Sequence, residues 1–209
     1  MTSGPVPVLV LASGSAGRLR LLRDAGIDPD VVISGVDESD VADLPAADLV
    51  AALAQRKAVA VAARRPDALV LGCDSMLDLD GAAFGKPATA HEAIEFWRLL
   101  AGRTGTLYTG HCLIDGPAGR QARGVAATIV RFGTPTEAEI AAYAATGEPL
   151  SLAGAFSIDG LAAPFVDGID GDPGNVIGLS LPLLRRLLAE LGIAITDLWR
   201  RPAPQAPPA

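Results

Sequence analysis

The sequence predicts an α/β fold with a mixed sheet, on three observations. Short apolar runs of buried-strand length alternate with stretches of helical spacing, beginning with strand, small-residue loop and helix inside the first 26 residues. Two long strand-like runs, 107–114 and 122–132, are joined by the turn Asp115-Gly116-Pro117, which makes that pair antiparallel. And 209 residues, 50% apolar and 20% charged, suffice for a core burying roughly 70% of the unfolded surface without disulfide or metal staples.

The elements follow in order. Residues 6–12 (VPVLVLA) form a continuous apolar strand, broken by the small residues 13–17; Leu19, Leu21, Leu22 and Ala25 then keep helical spacing up to Gly26. Residues 31–33 are a short second strand entering the acidic loop 37–43, and 45–63 is the longest helical stretch. Residues 68–72 (ALVLG) read as a buried strand that ends by delivering Cys73, Asp74 and Ser75, with a separate hairpin over 77–84 around Asp80-Gly81. Thr89-x-x-Glu92 and Thr136-x-x-Glu139 read as capping boxes opening helices to about 101 and 147. Residues 148–178 are Gly-rich and irregular, with a strand at 164–169. Ser180 caps a last helix, with Pro182 in its first turn and Gly192 beyond its end. Residues 1–200 are expected to form one domain and 201–209 (RPAPQAPPA) a disordered tail.

Composition narrows the function. A net charge of −7 argues against general nucleic-acid affinity, yet leaves room for a small anion held by a few cations. Two cysteines make no disulfide framework, the first basic residue is Arg18, and no apolar run reaches the roughly 18 residues of a membrane span, so a cytoplasmic protein is expected. Of 17 basic residues only Lys57 and Lys86 are lysines. In a chain that otherwise uses arginine, these two positions are candidates for needing a compact ammonium.

The chemistry-bearing segments are few. Ser13-Gly14-Ser15-Ala16-Gly17-Arg18 sits between strand and helix, where small residues let a ligand approach the backbone and a helix N-terminus offers unpaired N–H groups to an anion. It lacks the G-K-[ST] ending of a P-loop. It does fit a degraded A-x-G-x-x-G dinucleotide turn, with Asp37 and Glu38 about 20 residues on. A plain tight turn with Ser13 or Ser15 as N-cap is the competing account. Asp74, at a strand end, is placed to hold a cation or deprotonate a water, and a turn-capping role competes. Glu38 can reach the same opening or be a solvated loop acid. Lys86, between Gly85 and Pro87, is aimed inward or faces solvent. His91 and His111 lack metal-pair spacing, and Cys73 reads as a small packing residue.

Taken together these blocks resemble the Maf family of septum-formation-inhibitor-like nucleoside triphosphate pyrophosphatases. The family's opening L-A-S-x-S-P-R-R-x-x-L-L is similar to Leu11-Ala12-Ser13-Gly14-Ser15-Ala16-Gly17-Arg18-Leu19-Arg20-Leu21-Leu22. Its D-E, helix lysine, G-A-D-T and G-K-P resemble Asp37-Glu38, Lys57, Gly72-Cys73-Asp74-Ser75 and Gly85-Lys86-Pro87. Tyr108-Thr109-Gly110, Glu148-Pro149, Ala153-Gly154 and residues 175–179 (NVIGL) look like further blocks. The resemblance implies an elongated mixed sheet with flanking helices, two lobes around a central cleft, often dimeric. It implies hydrolysis of a nucleoside triphosphate to monophosphate and pyrophosphate with a divalent metal, Mg²⁺ or Mn²⁺. Asp74 then matches the proton acceptor, Ser13, Ser15, Arg18, Lys57 and Lys86 the phosphate-binding positions, and Glu38 with Asp74 the metal-side carboxylates.

Three positions depart from the family pattern. Gly17 replaces the first arginine of the pair. Ser75 stands where the dTTP/UTP-directed subgroup has threonine. Asp159 stands where that subgroup has glutamine and the 7-methyl-GTP subgroup glutamate; an ionised carboxylate only accepts, which suits a base edge with two donors. Two other classes stay in view. A dinucleotide-binding oxidoreductase would need a second parallel βαβ half, which residues 107–178 do not offer. A nucleotide-binding regulator of cell division would bind without turnover.

Overall fold

The computed structural model describes residues 8–37 and 44–199. The elements are β1 (Leu9–Leu11), α1 (Ala16–Asp24), β2 (Asp30–Val31), α2 (Ala46–Ala62), β3 (Leu69–Leu79), β4 (Ala82–Phe84), α3 (Ala90–Leu100), β5 (Thr104–Asp115), β6 (Arg120–Phe132), α4 (Glu137–Ala145), β7 (Val166–Asp170), α5 (Pro173–Ile177) and α6 (Leu181–Glu190). One mixed seven-stranded sheet runs β2-β1-β3-β5-β6-β7, with β4 attached to β3. β1 is parallel to β2 and β3, and the remaining pairs are antiparallel. The expected α/β class with a mixed sheet is therefore observed. Among the described residues no helix is long and apolar enough to cross a membrane.

The caps behave as side-chain chemistry dictates. Thr136 and Glu139 make a reciprocal capping box. Thr89 accepts from the Glu92 N–H, but Glu92 reaches back to Ala88 N rather than to the cap itself. Ser180 caps α6 through Leu183 N.

The largest departure from expectation is β3. It does not stop before Asp74 but continues unbroken to Leu79, so Asp74 lies in mid-strand and the hairpin 77–84 is its continuation into β4. The reason is lateral pairing. β5 pairs β3 from Leu69 through Asp78, carrying the strand past its polar residues. On the opposite edge β1 pairs only Leu69–Leu71 and β4 only Leu77–Leu79, which leaves 72–76 without a strand partner there. That gap in the sheet edge replaces the expected strand terminus as the site-forming opening. The 148–178 segment is likewise more ordered than expected, with short 3₁₀ turns, β7 shifted to Val166–Asp170, and the one-turn helix α5.

Two apolar clusters carry most of the fold. Near β1, Leu11, Leu22, Leu69, Leu71 and Cys73 pack against Leu184, Leu187 and Leu188 of α6. At the other end Leu77, Leu107, Val130 and Phe132 pack against α3, α4 and the 155–156 turn. Trp97 is its centre, 1% exposed, edge-on to Phe132, Tyr143 and Phe165 at 5.7–5.8 Å, with its indole N–H donating to Ala155 O at 3.0 Å. On the other face α2 lies directly on the sheet. A Cβ at Gly72 would come within 2.2 Å of Ala54 O, and one at Gly110 within 2.1 Å of Val50 O, so only glycine permits this approach.

Candidate active site

A cavity of about 610 Å³ opens over the gap in the β3 edge. Its walls come from the β1–α1 turn, Lys57 of α2, Asp74–Met76 of β3, the Gly85-Lys86 turn, residues 151–153 with 156–157, and the end of α5. The volume is that of a small-molecule site.

The close seating of α2 has a direct chemical result. It lowers Lys57 onto β3, where Nζ donates to Asp74 Oδ1 at 2.5 Å, with the two side chains only 14% and 12% exposed. Asp74 Oδ2 has no protein partner among the described residues. The Cys73 thiol beside it is completely buried, and burial pushes its pKa up to about 12, so it packs as an apolar residue and supplies no thiolate.

Arg18 is the second anchor. Nε donates to Gly178 O at 2.8 Å, Nη1 to Ser13 Oγ at 2.9 Å and Nη2 to Ser75 Oγ at 2.9 Å, with the residue 9% exposed. Gly178 sits at φ +120°, and a Cβ there would lie 3.3 Å from Arg18 Nε, so the carbonyl that orients the guanidinium depends on a glycine. Ser15 caps α1 by accepting from Arg18 N at 3.4 Å, and it also lines the cavity; the N-cap and ligand-facing accounts of this turn are compatible.

Lys86 lines the opposite side. It is exposed and has no hydrogen-bond or ion-pair partner among the described residues. The backbone beside it is fixed, because Gly154 N donates to Gly85 O at 2.9 Å, and the 153–155 turn is held in turn by Trp97. Among the described lining residues three cations, Arg18, Lys57 and Lys86, face one carboxylate, Asp74. A chain of net charge −7 thus concentrates positive charge at this opening, as an anionic ligand requires. Ile33, Val36, Met76, Leu152, Phe156 and Ile177 make the apolar remainder.

The structure thus brings Ser13, Ser15, Arg18, Lys57, Asp74 and Lys86 to one cavity. Asp159 is not among the lining residues: Ser157 Oγ donates to its Oδ1, and Arg20 of α1 pairs with its Oδ2. Glu38 lies outside the described residues. His91 is exposed, and His111 is buried with Nδ1 to Thr109 O and Nε2 to Ser180 N, both at 3.0 Å. A carbonyl only accepts and a backbone N–H only donates, so His111 is the neutral Nδ1–H tautomer. Burial, reinforced by Arg18, drives its pKa down to about 4, partly opposed by the hydrogen bond to Thr109 and the charge of Asp172. Sequence reading passed over Thr109 and Asn175 as functional candidates. The signal available was their place in the family-like blocks Tyr108-Thr109-Gly110 and 175–179, and what they bond to is visible only in three dimensions.

A sequence profile of the Maf-like protein family matches residues 8–191. A protein of Streptomyces coelicolor named nucleoside triphosphate pyrophosphatase is 61% identical over 202 residues, covering 95% of this chain and 98% of its own. Proteins of the same name from Salinispora tropica, at 57% identity (95% and 91% covered), and Mycobacterium sp. strain JLS, at 53% (92% and 98%), match over similar spans. With its sheet, its glycine-seated α2 and its ordered blocks in place, the chain belongs to the Maf-like protein family.

Proposed function

We propose that the chain is a nucleoside triphosphate pyrophosphatase, hydrolysing the bond between the α- and β-phosphates to release a nucleoside monophosphate and pyrophosphate. The observation that carries this reading is Asp74, the one carboxylate among the described lining residues, bonded to Lys57 and facing Arg18 and Lys86 as well. A triphosphate brings about four negative charges; the cations and the Ser13 and Ser15 hydroxyls that line the cavity supply fixed donors for it. The apolar wall suits a base and sugar.

Asp74 is the proton acceptor. With Oδ1 occupied by Lys57, Oδ2 is the oxygen available to take a proton from a water attacking the α-phosphorus. Arg18 offers its two remaining N–H groups to phosphate oxygens, and Ser13 and Ser15 offer hydroxyl hydrogens. Lys86, without a partner among the described residues, meets the outer phosphates as a point charge. Charge that grows on the departing pyrophosphate is met by these same donors, already in place.

Among the described lining residues Asp74 is the carboxylate that a divalent cation would use. Among the described residues no group of three or more His, Cys, Asp or Glu side chains forms a protein cage. Mg²⁺ and Mn²⁺ accept one or two carboxylates completed by phosphate and water oxygens, and Asp74 with Glu38 are the residues that would provide them. Bound there, the ion supplies charge neutralisation on the phosphates. The substrate class suits a cytoplasmic protein.

The test is product analysis on a panel of canonical and modified nucleoside triphosphates with Mg²⁺ and Mn²⁺, beside Asp74→Asn. Monophosphate and pyrophosphate in equal amounts, lost in the variant, are expected. Binding of nucleotide without turnover under either metal would refute the enzymatic reading and leave a regulator.

A further inference from the structure

We propose that Thr109, buried one layer beneath the cavity, is a positioning residue that fixes the direction of the Ser75 hydroxyl and through it holds Arg18 ready for the polyphosphate; the inference rests on the pyrophosphatase reading above.

Ser75 and Thr109 are directly opposite across β3 and β5. Their hydroxyl oxygens are 2.9 Å apart, and Thr109 is fully buried. Oxygen–oxygen distance alone leaves the donor undecided, but the next link decides it. Thr109 Oγ1 is 3.1 Å from Asn175 O, a carbonyl that can only accept, so the threonine hydrogen is committed there. Ser75 must therefore donate to Thr109. Its oxygen is then free to accept, which it does from Arg18 Nη2 at 2.9 Å. The sequence of donors runs one way, from Arg18 to Ser75 to Thr109 to Asn175 O.

The end of this relay is itself fixed. Asn175 is fully buried, and its Nδ2 donates to Leu107 O and to Thr128 Oγ1, both at 3.0 Å. These bonds pin the 175–178 segment to β5 and β6. Its two ends are Asn175 O, which takes the Thr109 hydrogen, and Gly178 O, which takes Arg18 Nε.

Two consequences follow for the cavity. With its hydrogen turned inward, Ser75 presents only a lone pair to a ligand. Ser13 is its opposite: its oxygen already accepts from Ser15 N at 3.2 Å and Arg18 Nη1 at 2.9 Å, so it presents only its hydrogen. The phosphates belong on the Ser13 side, and Ser75 faces a ligand donor, a sugar hydroxyl or a base N–H. Losing the Thr109 hydroxyl frees the Ser75 hydrogen to rotate toward the ligand and loosens the acceptor that aims Arg18.

The experiment is a mutant cycle read by calorimetric pyrophosphate binding and by steady-state hydrolysis. Thr109→Val keeps shape and strand preference while removing the hydroxyl; Thr109→Ser keeps the hydroxyl. Thr109→Val is expected to weaken pyrophosphate binding and raise KM about tenfold, with kcat within about threefold, the scale of one buried hydrogen bond. Thr109→Ser is expected within about twofold of the parent, and Thr109→Val adds less than about twofold in a Ser75→Ala background, because the two act in series. The proposal is overturned if Thr109→Val binds like the parent, if Thr109→Ser is as impaired as Thr109→Val, or if the valine costs the same factor with and without Ser75. Should the valine variant not fold, Thr109→Ala takes its place in the same cycle. A chain that follows this pattern with pyrophosphate but hydrolyses no triphosphate leaves Thr109's role standing and sinks the pyrophosphatase reading.

Discussion

The two lysines of this chain make an instructive pair. Lys57 projects from the second half of a 17-residue helix, its side chain only 14% exposed, and its ammonium is already bonded to Asp74. Lys86 stands on an exposed turn between β4 and α3 with no partner among the described residues. The cavity floor, where Lys57, Asp74, Arg18 and Ser75 meet, is bonded before any ligand arrives. The rim at Lys86 completes its contacts only with a ligand. Groups held in advance cost no reorganisation when charge develops in the transition state, whereas an exposed cation mainly adds attraction for the incoming anion. The Lys57–Asp74 pair of the floor is therefore expected to govern kcat, while Arg18 with Ser75 serves binding and the rim mainly sets KM.

The largest effect that would break this division is at Asp74. Asp74→Asn keeps shape but cannot take the proton, and kcat is expected to fall about 10³- to 10⁴-fold with pyrophosphate binding retained, as measured by stopped turnover assays and calorimetry. Next comes the buried histidine beneath the floor. His111 is neutral when folded, with its pKa lowered to about 4 from the ordinary 6.5, so the unfolded chain binds the extra proton between those values. Its contribution is complete above about pH 6.5 and disappears as pH falls toward 4, a loss of about 3 kcal/mol. Thermal melts across pH 4–8 should show that decline, flattened in His111→Asn.

Arg18→Lys is expected to lower kcat/KM about 100-fold, since one ammonium cannot satisfy Gly178 O, Ser13 and Ser75 while facing the ligand. A tenfold loss or less would mean that charge, not the planar fork, is what the floor needs. The smallest effect belongs to the rim: Lys86→Ala should raise KM about tenfold with kcat nearly unchanged, and the difference should shrink in high salt. A fall in kcat instead would move Lys86 from the rim into the reacting centre.

Much of this arrangement was legible along the chain. The rarity of lysine pointed to Lys57 and Lys86, and the small-residue turn pointed to Ser13, Ser15 and Arg18, because both are local signals. The course of β3 was not. Asp74 and Ser75 look like a strand end to any reading of local polarity, and only the twelve-residue β5 partner, more than 25 residues later, carries the strand through them. The relay through Thr109 to Asn175 spans 66 residues and so leaves no local pattern at all. Asp159 shows the converse. Its match to the base-reading position of the resembled subgroups suggested a reader of bases, and in the fold its carboxylate is met by Arg20 and Ser157, Arg20 lying 139 residues earlier in the chain.

The continuous β3 has one more consequence. Its first half inserts Leu69, Leu71 and Cys73 into the cluster around α6, and its second half inserts Leu77 and Leu79 into the cluster around Trp97. Neither cluster can melt without tearing out part of a strand that the other still needs. Unfolding is therefore coupled across the cleft, and calorimetry should record a single heat-absorption peak rather than two. The opening that admits a ligand is crossed by the same backbone segment that makes the molecule stand or fall as one piece.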